Sequence, residues 1–417
     1  MAVELEYSGI IKSQWATNID GGDNDALVIS ALPELNVNFD NDWQLTSKLR
    51  LRSDLFDETY PDALNRDSFS EATKPALLSD HLELELREFY FDGELGNSFL
   101  TLGKQQVVWG KSDGLKVLDI VNPQSFNEFI LDDFESSRIP LWTVNVEQTL
   151  GEWDLQFLWI PDKSYHALPK QGSPFAFTSP ELVPVAPSGL AVNLNDADRP
   201  DRFFKDSDAG IRLASFIGGW DISVNYLYQY NNLPALYQDI SAGPTVNINP
   251  EYERTHVAGG TFSNAFGDFV IRGELGYFSD RYFVTDNSLV ERGIAETPEV
   301  NYVLGLDWTG IDDVFISAQL FQSWLTDYQS STVRDEVDTT LTFLYRQDFF
   351  YETLEAEVLI ISNLNNDDGL IRQKISYEWN SELTTWLGVD IFYGKDEGLY
   401  GQFSDNDRFV LGLELAF

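Results

Sequence analysis

The side chains able to do covalent chemistry are few. The chain has three His, one Met and no Cys, with 68 Asp plus Glu against 27 Lys plus Arg. Without cysteine there is no disulfide framework, thiolate metal site or cysteine nucleophile. His81 stands at the start of an alternating stretch, His166 in a proline-rich segment, and His256 on a parity read as inward. None lies in a motif with serine, and carboxylates are too abundant for any pair to stand out as acid and base. No catalytic residue is assigned, and an enzyme is not expected. The run Asp20-Gly21-Gly22-Asp23-Asn24-Asp25 has the oxygen-rich composition of a calcium loop but lacks a bidentate Glu at EF-hand distance. No resident metal or cofactor is expected, beyond weak divalent-cation binding at acidic loops.

The more informative residues are cations at alternate positions. Lys48, Arg50 and Arg52 occupy every second position of one stretch, and Arg87, Arg212, Arg254, Arg272, Arg372 and Lys374 share their parity with carboxylates such as Glu83 and Glu85. These rows either stabilise a passing carboxylate or phosphate, or pair with acids on neighbouring strands and brace a wall. Bracing is the default for any single residue. The Lys48–Arg52 run is the exception, because three like charges on one strand face repel unless something anionic lies opposite.

The elements holding these residues repeat with period two. Trp153, Leu155, Phe157 and Trp159 alternate with polar residues, as do Trp220, Ile222, Val224 and Tyr226, and Phe409, Leu411, Leu413, Leu415 and Phe417. Helical periodicity is nearly absent, and no apolar run of about 18 residues exists to cross a membrane as a helix. Short turns, as at Gly151-Glu152 and Gly218-Gly219, alternate with long polar segments such as 56–79, 109–140, 162–207 and 279–298. Soluble sandwiches and propellers lack so regular a rhythm. The expectation is an all-β fold, one transmembrane antiparallel β-barrel over 1–417 with about 18 strands (16 as the alternative), short periplasmic turns and long extracellular loops. Trp and Tyr at segment ends (Trp15, Trp43, Trp220, Trp308) suit aromatic girdles. A net charge of −41 excludes nucleic acid as a partner. The first residues show no basic start or apolar core of a secretion signal, so the expectation there is a cytoplasmic protein or a mature chain with an added Met. The barrel pattern favours the second.

Segment 109–140 is too apolar for an exposed loop, and is expected either to fold into the lumen as a constriction or plug or to pack outside as a lid. Its candidate site residues are Trp109, Lys111, Asp113, Lys116, Asp119, Asn122, Phe126, Phe129 and Arg138. Asn122-Pro123 fits a helix cap and first position, so a short helix near 123–131 is expected. Segment 162–207, rich in Pro, reads as a long extracellular loop.

Residues 86–142 carry a distinctive block: Leu86, Arg87, Glu88 and Tyr90, then Gly103, Gln105, Gln106, Val108, Trp109, Gly110, Asp113 and Gly114, then Asp119, Asn122 and Pro123. It resembles the signature of a large, mostly uncharacterised proteobacterial outer-membrane β-barrel family. The C-terminal Phe on an alternating strand likewise resembles the barrel-assembly signal of Gram-negative outer-membrane proteins. The resemblance implies a porin or transporter, with members suspected of handling hydrophobic or lipid-like compounds beside exporters of the resistance-nodulation-division class. Three functions follow as expectations: a solute channel narrowed by 109–140, a transporter of hydrophobic molecules, or a structural or receptor barrel acting through 162–207. The expected partners are outer-membrane lipids and lipopolysaccharide, a small solute or hydrophobic substrate, and a homo-oligomer or periplasmic partner.

Overall fold

The computed structural model describes residues 3–19, 21, 26–40, 42–56, 66–112, 114–185, 189–240, 245–286 and 291–417. Eighteen antiparallel strands close into one barrel: β1 Val3–Asn18, β2 Ala26–Phe39, β3 Gln44–Asp54, β4 Leu82–Leu95, β5 Ser98–Gln105, β6 Leu141–Leu150, β7 Trp153–Ile160, β8 Asp208–Ile217, β9 Trp220–Tyr230, β10 Arg254–Phe266, β11 Phe269–Val284, β12 Ile294–Ile311, β13 Val314–Leu325, β14 Val337–Phe349, β15 Leu354–Asn363, β16 Asp368–Glu378, β17 Leu383–Tyr393 and β18 Arg408–Ala416. Each pairs with its sequence neighbours, and β1 meets β18 from Ile10↔Ala416 to Asn18↔Arg408, which leaves no free edge. Gly218 and Gly219 take φ of 59° and 87°, the left-handed pair that a two-residue hairpin turn demands.

Period two puts one face of every strand outward. Phe157, Ile211 and Tyr226 line up across β7, β8 and β9, and all three are exposed, as are Leu275 and Leu304 further round. Such a continuous apolar band requires an apolar solvent. The other face carries Leu158, Leu227, Val257, Phe278 and Val303, which are buried in one cluster with Val107, Trp109, Val117, Leu118 and Val121.

Four sequence expectations change here. Segment 279–298 is mostly strand: β11 runs to Val284 and β12 starts at Ile294, with a register shift between Phe278 and Arg281 accommodating the interruption. No helix forms over 123–131. Gln124 and Ser125 make β-bridges to Arg138 and Ala167, Phe129 takes a φ of 53°, and the α-helix of this region is Phe134–Ser137, capped by Asp133. His256 and Arg254 lie on the outward parity, because Thr255 between them and Val257 after them are the buried residues; His256 Nδ1 meets the Tyr226 hydroxyl at 2.6 Å, and Arg254 stacks on Tyr230 and pairs with Asp208. Asp113, like Asp20 and Asp23 to Asp25, lies outside the described residues.

Candidate functional site

Sockets in the inward wall fix segment 106–140. Trp109 is 1% exposed and sits over Gly210, where a Cβ would fall 2.7 Å from its ring; its Nε1 donates to Gln156 Oε1 at 2.7 Å. Leu118 occupies the space above Gly259 and Gly276. Glu274 on β11 then takes three backbone N–H groups of the segment, from Lys111, from Ser112 at 2.7 Å and from Leu118 at 2.9 Å. A carboxylate receiving N–H donors stabilises by about 1.5–3 kcal/mol per bond, and the donors would otherwise be unsatisfied. Arg272 pairs with Asp307 and donates to the Lys111 carbonyl, while Lys111 Nζ reaches Asp221 at 2.6 Å.

Asn122 is a tie. Its Oδ1 accepts Val107 N–H at 2.7 Å and its Nδ2 donates to the Ile139 carbonyl at 2.9 Å, joining the two ends of the segment. Asp119 holds Arg138 at 2.7 Å and Lys116 at 3.3 Å. Phe129 packs against Phe392, Tyr400 and Phe403, and Phe126 lies edge-on to His166.

Segment 162–207 is not purely an outer loop. Ala167 exchanges backbone hydrogen bonds with Gln124 and Phe126, and Phe175 joins the Phe129 cluster. His166 Nδ1 accepts Gln124 N–H at 2.8 Å, and burial, aided by Arg281 and Lys116, pushes its pKa down to about 3, so the ring is neutral.

The cation run on β3 has its anions opposite. Arg52 Nε donates to Glu83 at 2.8 Å, Arg50 meets Glu85 at 2.5 Å, and Arg87 shares Glu85 at 3.4 Å. Lys48 reaches Glu34 at 3.5 Å and Glu135 of the inserted segment at 3.1 Å, while Arg87 and Arg50 donate to the Glu135 and Ser136 carbonyls. Arg50, Arg52, Arg87, Glu83 and Glu85 are all buried, so they brace the wall instead of lining a path. Lys48 is partly exposed beside them.

Across the interior, Arg372 binds Asp390 at 3.0 Å; Asp390 also holds Arg408, which reaches Glu128 at 2.7 Å. Arg372, Arg281, Lys116, Asp119, Phe126 and Ile130 help line a cavity of about 440 Å³ between the segment and β15–β16. Arg212 is half-buried and makes no ion pair among the described residues, and Lys374 is exposed on β16. Sequence reasoning put Glu274 among the inward carboxylates without assigning it to the site, and missed Asp390, Glu128 and the three socket glycines. Glu274 had the inward parity as its signal, whereas a glycine's socket depends on which side chain arrives above it.

The comparisons with known proteins agree with this architecture. The crystal structure of OpdK from Pseudomonas aeruginosa with vanillate is 10% identical, with 99% of this chain and 98% of that chain covered and a TM-score of 0.54. A second OpdK structure matches at 10% identity, 99% coverage of both chains and the same TM-score. At this identity the likeness shows the fold, that of an outer-membrane porin. No curated protein sequence matches the chain. The model of a family described as "protein of unknown function (DUF1302)" matches residues 16–417. The chain therefore belongs to the DUF1302 family of unknown function, and its own fold is a porin-like β-barrel.

Proposed function

We propose that this protein is an outer-membrane channel of a Gram-negative bacterium, passing small solutes through a polar interior that segment 109–140 narrows. One observation carries the reading: the segment is bonded to inward side chains on well-separated strands, including Lys12 on β1, Arg50 on β3, Gln156 on β7, Glu274 on β11 and Arg408 on β18. Charged groups that remain partly exposed, Lys48, Arg212, Arg372 and Lys374, set the electrostatics of the remaining path. Purified barrel in planar bilayers tests this. Discrete conductance steps that grow when Glu274→Ala loosens the segment are expected, and a barrel that conducts in neither form would sink the channel reading.

A second reading, passage of hydrophobic molecules, draws on the cavity beside Leu115, Ile120, Phe126, Ile130, Leu359 and Leu370. Ordered detergent in that cavity would favour it, and a continuous column of water past these side chains would count against it.

A further inference from the structure

The described inward wall holds one exposed lysine that makes no ion pair among the described residues. Lys374 faces inward on β16, with Glu357 directly opposite on β15. That carboxylate turns to Arg346 on β14, which holds it at 2.9 Å and also reaches Glu355 at 3.4 Å. The opposite neighbour, on β17, is Gly388, which offers no side chain. Lys374 instead lies 5.4 Å from the ring centroid of Trp386. Lys12 arrives at the same indole from β1, at 5.5 Å. The space for this indole is Gly412 on β18, where a Cβ would fall 2.0 Å from the ring. Trp386 is 9% exposed, so it is a floor that gathers two ammonium groups and offers little face of its own to a solute.

Two cations within reach of one ring repel each other, and the nearby acids compensate only in part. Glu414 is opposite Lys12 in register but forms no ion pair with it among the described residues, and Asp133 reaches Lys12 at a loose 3.7 Å while serving as the helix cap. Arg372, two positions along β16 from Lys374 and on the same face, lines the cavity described above. The cationic row thus runs from the cavity to the Trp386 floor.

We propose that Lys374 and Lys12, gathered by Trp386, form a binding subsite in the channel interior for a small carboxylate, whose two oxygens can accept from both ammonium groups at once. This deepens the channel reading and rests on it for its role in transport. The subsite itself is tested by binding, without conduction: trifluoroacetate is titrated into the detergent-solubilised full chain and followed by fluorine NMR. Saturable binding is expected, weakened at least about fivefold by Lys374→Gln and by Lys12→Gln. Lys374→Arg should retain it, and Lys205→Gln, an exposed lysine of the 162–207 segment, should leave it unchanged. Binding as tight in Lys374→Gln as in the parent chain overturns the subsite, as does equal weakening by Lys205→Gln. In bilayers, the chloride-over-potassium permeability ratio should fall in Lys374→Gln. A barrel that binds trifluoroacetate in this pattern but never conducts would overturn the channel and leave the subsite; one that conducts with unchanged selectivity would overturn the subsite alone.

Discussion

Two walls of the same barrel treat charge in opposite ways. On β3 and β4, cations and acids of matching parity meet in register, are covered by residues 135–136, and lose contact with water. Around Lys374 on β16 and Lys12 on β1, Arg346 holds the acids of β15, a glycine stands where a side chain could have answered Lys374, and the two lysines stay in contact with water. Both began as alternating Lys or Arg with Glu two or more positions away. What separates them is whether the inserted segment lies on top. A buried ion network stabilises little over an apolar replacement, but breaking it leaves an uncompensated charge in a dry place. A wet lysine costs almost nothing to remove and is free to meet a solute.

The largest expected effect breaks the dry side. Glu85→Leu strands Arg50 and Arg87 and should lower stability by about 3–5 kcal/mol, measured as the urea midpoint of the refolded barrel. The double variant Glu85→Leu with Arg50→Leu should recover part of that loss, and a double variant worse than the single would deny that these two charges are coupled. Next, Glu274→Ala releases three backbone N–H groups and should weaken docking of the inserted segment by about 3 kcal/mol or more, read as new protease cleavage between 106 and 140 with the barrel intact. An unchanged digest would mean the glycine sockets alone hold the segment.

The third test is of pH. Neutral His166 has its pKa depressed to about 3 from an ordinary 6.5 by burial, so its contribution is fully present above pH 6.5 and falls away as pH drops towards 3. Contact between 162–207 and the inserted segment should therefore loosen across that window, seen as amide exchange at Gln124 and Ala167. His166→Asn should flatten the dependence, and a profile that keeps its slope in that variant would assign it elsewhere. The smallest effect is on the wet side: Lys374→Gln should change the stability read from urea unfolding by less than about 0.5 kcal/mol. A larger loss would mean Lys374 is braced like Arg50.

Much of the barrel was legible in the sequence because its signals are local. A strand facing lipid on one side must alternate, and a two-residue turn must tolerate positive φ, as Gly218 and Gly219 do. Segment 109–140 announced itself by apolar residues that need a partner. Its local shape was not legible: Asn122-Pro123 carries a helix-start signal, but Asn122 is consumed in tying Val107 to Ile139. His256 was misplaced by one residue of parity, which in a strand reverses the face.

Sequence by itself determined the closed antiparallel barrel, its outward apolar band and the residues that had to be covered. Tertiary structure alone decided which charges are dry and which are wet. Charge pairing depends on register and on what lies above the wall, and both join residues far apart in the chain: Glu274 with Leu118, Arg408 with Glu128, Lys12 with the indole that Lys374 also meets.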